Sequence, residues 1–252
     1  MNGNVDIYEN ERIDDLMNEG LQLIQSDEVF SFSMDAVLLS RFAAVPKKGR
    51  ILDMCTGNGV IPILLSARTK ARIEGIEIQE RLADMARRSV RLNGLEDRIE
   101  IRTGDLRDLS NAVGPNIYDA ITVNPPYMPL QTGDQKLNRH QAMARHEIHG
   151  SLEEIIAAGM RLLRPGGKIF MVHKPQRLGE IITLLRQYRL EPKVLRFVHP
   201  RIDLEANMVL IEALRDGKPD IRLKPPLIVY GEDGKYTGEI MDIYYGTSGG
   251  RI

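Results

Sequence analysis

Arg50-Ile-Leu-Asp-Met-Cys-Thr-Gly-Asn-Gly59 is a short apolar run that breaks into a turn holding two glycines, and an apolar segment from Val60 to about Arg68 follows it. The pattern predicts a strand, a tight turn and a helix, with Pro62 tolerated because it falls in the first helical turn. Glycines at Gly57 and Gly59 let the backbone turn sharply and let a ligand approach the main chain. A dinucleotide fingerprint needs a further glycine or alanine three positions on, where this chain has Pro62. Asp53 suits a ligand carrying an ammonium or sulfonium better than a pyrophosphate. A tight turn without a ligand is the structural alternative.

Working outward, strand and helix patterns alternate from about residue 50 to 214, which predicts an α/β fold with a mostly parallel sheet. Further strands are expected at 72–78, 98–102, 118–123, 168–173, 193–199 and 207–214, the last two as an antiparallel hairpin at one edge. With 50–55 these make seven strands, with helices on both faces. Helices are expected at 80–92, with Arg87, Arg88 and Arg91 outward, and near 176–188. Another opens at the capping box Ser151-Leu-Glu-Glu154. The segment before residue 49 predicts a strand or turn at 20–25 and a helix at 34–44. Residues 128–150 form a polar stretch too long for an ordinary connection, and therefore a candidate for a functional or a mobile segment.

The chain has 252 residues, a formal net charge of −1 and one cysteine, Cys55. Its length suits one α/β domain with an appendage or one large domain, and the single cysteine excludes an internal disulfide framework and a cysteine-based zinc cluster. The histidines lack metal-ligand spacing, so no metal is expected. Near-neutral charge argues against a general DNA coat and leaves room for a selective RNA enzyme. An acidic N-terminus and the lack of a 20-residue apolar run point to a cytoplasmic protein without a membrane span.

Three further positions carry chemistry. Glu77, at the end of the second strand, can accept both hydroxyls of a ribose, although an acid there is often only a solvated surface group. Asp105 can accept from an adenine amino group or can simply fix the turn at Gly104-Asp105-Leu106. Asn124-Pro125-Pro126-Tyr127 follows a buried strand directly. The prolines remove two donors, so the Asn124 amide oxygen and the Pro125 carbonyl can each accept one hydrogen of an –NH₂ group. Tyr127 offers a face on which a planar base can stack. A conjugated amine attacks poorly; two acceptors gripping its hydrogens favour pyramidal nitrogen and offset the charge that grows as a methyl arrives.

Together these residues resemble the class I, Rossmann-like, S-adenosylmethionine-dependent methyltransferases, and the Asn-Pro-Pro-Tyr resembles that of the amino-methylating members. More narrowly, the chain is similar to the bacterial tRNA1(Val) adenine amino-methyltransferase family. That likeness rests on Glu11-Arg-Ile-Asp14, Ile24-Gln25, Phe30-Ser-Phe-Ser-Met-Asp-Ala-Val-Leu-Leu39 and Ala144-Arg-His-Glu147 in addition to the motifs above. The resemblance implies that Asp53, Gly57, Gly59, Glu77 and Asp105 bind the cofactor, with Phe32, Ser33 and Asp35 capping it and Asn124 beside it. It also implies catalytic roles for Asn124, Pro125 and Tyr127, and a target base held by Pro126 and Tyr127. Lys136, Arg139, His140, Arg145 and His146 are candidates for tRNA phosphate contacts, with a solvated loop as the alternative; Arg201 is a weaker one. The expected division is a cap at 1–48, a methyltransferase domain at 49–214 and an extension at 215–252, whose tyrosines suggest a hairpin packed on the sheet. No obligate protein partner is evident. Other readings stay open: a release-factor glutamine, a ribosomal RNA guanine or a DNA adenine as target, or a non-catalytic RNA binder.

Overall fold

The computed structural model describes residues 5–16, 20–29, 33–127 and 150–245. Strands β1 (Glu11–Asp15) and β2 (Gln22–Ser26) form an antiparallel hairpin, and helix α1 (Met34–Phe42) follows. The alternating body runs β3 (Arg50–Met54), α2 (Val60–Ser66), β4 (Arg72–Glu77), α3 (Glu80–Leu92), β5 (Ile99–Thr103), α4 (Leu106–Val113) and β6 (Tyr118–Val123). It continues with α5 (Leu152–Leu162), β7 (Leu163–His173), a 3₁₀ turn (Pro175–Arg177), α6 (Leu178–Gln187), β8 (Leu190–His199) and β9 (Met208–Arg215). The tail adds β10 (Arg222–Leu223), β11 (Leu227–Ile228) and α7 (Gly238–Tyr245).

The main sheet has the order β10-β8-β9-β7-β6-β3-β4-β5, with β11 also pairing β8. Only β9 runs antiparallel to its neighbours. The seven long strands are those expected; two-residue β10 and β11 bring the sheet to nine, pairing parallel to β8 on either side of Pro225-Pro226. Chain order reverses between β3, which leads outward to β4, and β6, which leads the other way to β7. Such a reversal opens a crevice at the carboxyl ends of the strands.

Period-two alternation divides the sheet's side chains between two cores. Ile51, Ile73 and Phe170 meet Leu38, Phe42 and Ile63 from α1 and α2 on one face. Leu52, Ile121 and Met171 meet Ile156 and Ile181 from α5 and α6 on the other. Each such side chain contributes roughly 1.5–3 kcal/mol by leaving water. Ser151 and Glu154 form the expected capping box at the start of α5.

Four expectations need correction. Arg88 points inward: it is 5% exposed, pairs with both oxygens of Glu11 at 2.6 and 2.7 Å and stacks its guanidinium 4.2 Å from the Tyr8 ring centroid. A bidentate partner supplied by the N-terminal hairpin makes that burial possible. Helix α4 replaces a bare turn, because Asp105 accepts from the Arg107 N–H as its N-cap. Strand β7 starts at Leu163 and passes through Pro165-Gly-Gly167 with a register shift against β6, instead of beginning at Lys168. The tail forms a helix as well as the expected hairpin: Tyr230 and Tyr236 face each other in an antiparallel bridge, and α7 packs on α1.

Candidate active site

The crevice holds a cavity of about 450 Å³ lined by Asp35, Gly57, Glu77, Asp105, Asn124 and Tyr127 among others. Its floor is the turn after β3. Cys55 and Gly57 there have φ of +58° and +57°, so two residues share the left-handed conformation that reverses the chain. Gly75 in β4 makes room for the turn, since a Cβ would sit 2.9 Å from Thr56 Oγ1 and 2.8 Å from Ile101. Glu77 fastens the turn to the end of β4: one oxygen accepts the Gly57 N–H at 2.9 Å and the other the Gln79 N–H at 3.0 Å. Burial pushes the Glu77 pKa up, opposed by the Gln79, Gly57 and Ile78 N–H groups.

Asp53 lies behind this floor. It is fully buried, accepts the Thr56 and Thr122 hydroxyls at 2.6 Å each, and is not among the residues lining the cavity. The expected direct contact with a cationic ligand is therefore corrected: its carboxyl braces β3, the turn and β6. Burial raises its pKa to about 7, the two hydroxyls oppose this, and the charge of Glu77 adds to it. Gly59 also stands outside the lining; its φ of +87° starts α2, and a Cβ would come 3.1 Å from Ala86 of α3.

On the opposite wall Asn124, Pro125, Pro126 and Tyr127 leave the end of β6. The Tyr127 hydroxyl bonds to Asp35 Oδ2 and lies 2.6 Å from the Asn124 amide oxygen. Asp35 is buried in the first turn of α1, where its Oδ1 accepts from Ser33 Oγ at 2.5 Å and from the Ala36 N–H at 2.8 Å. Burial and the neighbouring Asp35 hold the Tyr127 pKa well above that of an ordinary tyrosine. Behind Tyr127 the His173 ring packs edgewise at 5.2 Å. Its Nδ1 accepts the Lys174 N–H, so the neutral ring carries its proton on Nε2, which has no hydrogen-bond partner among the described residues. Burial first, then Arg177, push the His173 pKa down to about 4, so it is neutral at pH 7 and its one free nitrogen is a donor. His173 therefore cannot serve as a base.

Ser33, Asp35, Gly57, Glu77, Asp105 and Asn124 to Tyr127 are thus brought to one cavity. Asp105 does two things, lining the cavity while both its oxygens accept from the Arg107 guanidinium. Phe32, Lys136, Arg139, His140, Arg145 and His146 lie outside the described residues. Arg201 pairs with Asp203 at 2.7 Å, which weakens its candidacy as a phosphate contact. Ile78, Leu106 and Lys174 line the cavity without having been singled out. The first two each follow an acid at a strand end, the one sequence signal that pointed to them. The Lys174 ammonium stands 5.4 Å from the Tyr127 ring centroid.

The donor set suits a nucleoside with a cationic centre. Glu77 keeps acceptor capacity beyond its bonds to the Gly57 and Gln79 N–H groups, which suits the hydroxyls of a ribose. Ile78 and Leu106 offer apolar surface to a base, and Asp35, Glu77 and Asp105 favour positive charge. Among the described residues no group of three potential ligands could hold a metal ion, and no helix is long and apolar enough to cross a membrane.

Comparison with known proteins agrees with this chemistry. Residues 21–189 match the family model of the methyltransferase small domain. The tRNA1(Val) (adenine(37)-N6)-methyltransferase of Porphyromonas gingivalis is 32% identical over 227 residues, 85% of this chain and 88% of that protein. The Aeromonas salmonicida enzyme of the same name is 32% identical over 70% of this chain and 73% of its own. Among solved structures, a protein of Agrobacterium tumefaciens described as a predicted O-methyltransferase superposes with a TM-score of 0.70 at 24% identity, covering 85% of this chain and 97% of that one. Geranyl diphosphate methyltransferase in complex with SAM gives 0.55 at 17%, covering 72% and 84%. These two likenesses concern the fold.

Proposed function

The chain belongs to the methyltransferase small domain family and to the tRNA1(Val) (adenine(37)-N6)-methyltransferases within it, it is S-adenosylmethionine-dependent, and we propose that it methylates the amino nitrogen of an adenine in tRNA, the adenosine 3′ to the anticodon of a valine tRNA. The observation that carries this reading is the meeting, in one cavity, of an acid-lined nucleoside wall and a wall of amine acceptors. We further read residues 1–48 as a cap, 49–214 as the methyltransferase domain and 215–252 as an extension of it, in a cytoplasmic protein. Support for the cap comes from Ser33 and Asp35, which belong to it and line the cavity.

In this mechanism Glu77 would hold the ribose of the cofactor, Ile78, Leu106 and Asp105 its adenine, and Ser33 and Asp35 its methionine end. Bound S-adenosylmethionine supplies a methyl made electrophilic by a sulfonium sulfur, which keeps the electron pair of the broken bond. Asn124 Oδ1 and the Pro125 carbonyl take one amine hydrogen each, draw the nitrogen lone pair out of conjugation, and offset its growing positive charge. Holding the amine in line with the methyl supplies much of the remaining acceleration. The proton leaves to water; neither His173, which offers no acceptor, nor Asp53, behind the floor, takes it. Arg139, Arg145 and His146 are our sequence-based candidates for tRNA phosphates.

Incubation with labelled S-adenosylmethionine and total RNA from a strain lacking the gene, followed by nucleoside analysis, tests the reading. Label in N6-methyladenosine from the tRNA fraction is expected. Label confined to protein or to a methylated guanosine overturns the proposed substrate.

A further inference from the structure

The Tyr127 hydroxyl has two neighbours and one proton. Asp35 Oδ2 and the Asn124 side-chain oxygen both stand within hydrogen-bond reach of it, and neither acceptor can bond to the hydroxyl without a hydrogen between them. Asp35 lies in the first turn of α1, where the helix dipole favours a carboxylate, and its other oxygen is taken by Ser33 and the Ala36 N–H. A carboxylate can only accept, so the tyrosine proton goes to Asp35. That leaves an oxygen lone pair of Tyr127 facing the Asn124 amide, which must present a donor. The two ends of a side-chain amide are isosteric, and hydrogen bonding decides which faces which neighbour.

We propose that Tyr127, with its proton committed to Asp35, accepts the Nδ2–H of Asn124 and so turns Asn124 Oδ1 toward the target amine. Tyr127 and Asp35 are then positioning residues for Asn124 through a chain that runs from the Asn124 amide to the Tyr127 hydroxyl to the Asp35 carboxylate. The orientation matters because the opposite one aims an –NH₂ group at an –NH₂ group, two donors with no acceptor between them. Successive bonds in one direction also polarise each other, which strengthens the amide oxygen as an acceptor. The link joins residues 92 positions apart, so the cap segment helps to set the geometry of the reacting wall. This role is separate from stacking by the ring, and it rests on the reading of Asn124 as an amine acceptor.

Tyr127→Phe keeps the ring and removes the hydroxyl. With saturating cofactor and tRNA, kcat is expected to fall on the order of 10-fold, in line with loss of one well-placed hydrogen bond, while KM for tRNA and cofactor affinity stay within about twofold. An unchanged kcat overturns the proposal and leaves stacking as the whole role of Tyr127. The second readout needs no activity: the side-chain amide signal of Asn124 in cofactor-free protein, identified by its disappearance in Asn124→Asp. One of its two protons is expected to be shifted downfield in the wild type and to move back in Tyr127→Phe. A wild-type signal at free-amide position overturns the proposal without any variant. Wild-type protein that shows the bonded amide but methylates no RNA would instead sink the substrate assignment and leave this one standing.

Discussion

The two walls of the cavity are built by different means. On the glycine-turn wall the polar groups are tied to main chain: Glu77 takes the Gly57 and Gln79 N–H groups. On the Asn124 wall two prolines supply no donor, and the orientation of the amide depends on side chains, Tyr127 and Asp35. A wall held by backbone is set as soon as the strands pair. A wall held by side chains is set by single hydrogen bonds between distant segments. Substitutions should therefore separate binding from turnover according to the wall they strike.

The largest effect is expected on the amine wall. Asn124→Ala should lower kcat by about 10²–10³ while cofactor affinity, read by calorimetry, stays nearly constant. Normal turnover in that variant would remove the distinction between the walls. Glu77→Ala should do the reverse, weakening cofactor binding by about 10–100-fold because it deletes ribose acceptors and strands two backbone donors. Its kcat at saturation should change far less. A kcat loss as deep as that of Asn124→Ala would merge the two walls into one functional unit.

Asp53→Asn sharpens the comparison by testing a group beneath the floor. The folded-state pKa of Asp53 is about 7, against 3.8 for an ordinary Asp. Between those values the folded chain binds a proton that the unfolded chain has released, so this group makes stability fall as pH rises from about 4 to 7. The asparagine variant should lack that decline. Melting curves at pH 4.5 and 8 should show the wild type losing more than the variant, and parallel behaviour would mean that Asp53 is ionised across the range. The smallest effect belongs to Cys55→Gly, which should shift stability to unfolding by less than about 1 kcal/mol, because relief of the left-handed conformation is offset by lost packing and by the greater unfolded-state freedom of glycine.

The strand and helix rhythm from Arg50 to Leu214 was legible because it is written in periodicity, and each half of the alternation ended in one of the two cores. The site was legible where residues are special in type, as in Gly57, Glu77 and Asn124-Pro-Pro-Tyr127. It was not legible where function depends on which way a side chain turns. Asp53 carries the charge expected of a ligand contact, but Thr56 and Thr122 draw it behind the floor. Arg88 sits on what reads as a polar stripe, and its burial rests on the distant Glu11 and Asp6 carbonyl as well as on Asp84 one turn before it. Lys174 left no signal, since a lysine after a strand is ordinary. Two-residue strands such as β10 and β11 have no periodicity to read.

Those two short strands bear on how the protein behaves at high concentration. Strand β8 spans ten residues, and without the tail one of its sides would offer an open row of amides and carbonyls to any other chain. Arg222–Leu223 and Leu227–Ile228 occupy that side, and Pro225-Pro226 between them contributes no N–H to recruit a further strand. These pairings and the two prolines leave that side of β8 without an open row of amides for edge-to-edge pairing. That protection lies at one edge of the sheet, whereas the cavity opens at the reversal between β3 and β6 in its interior.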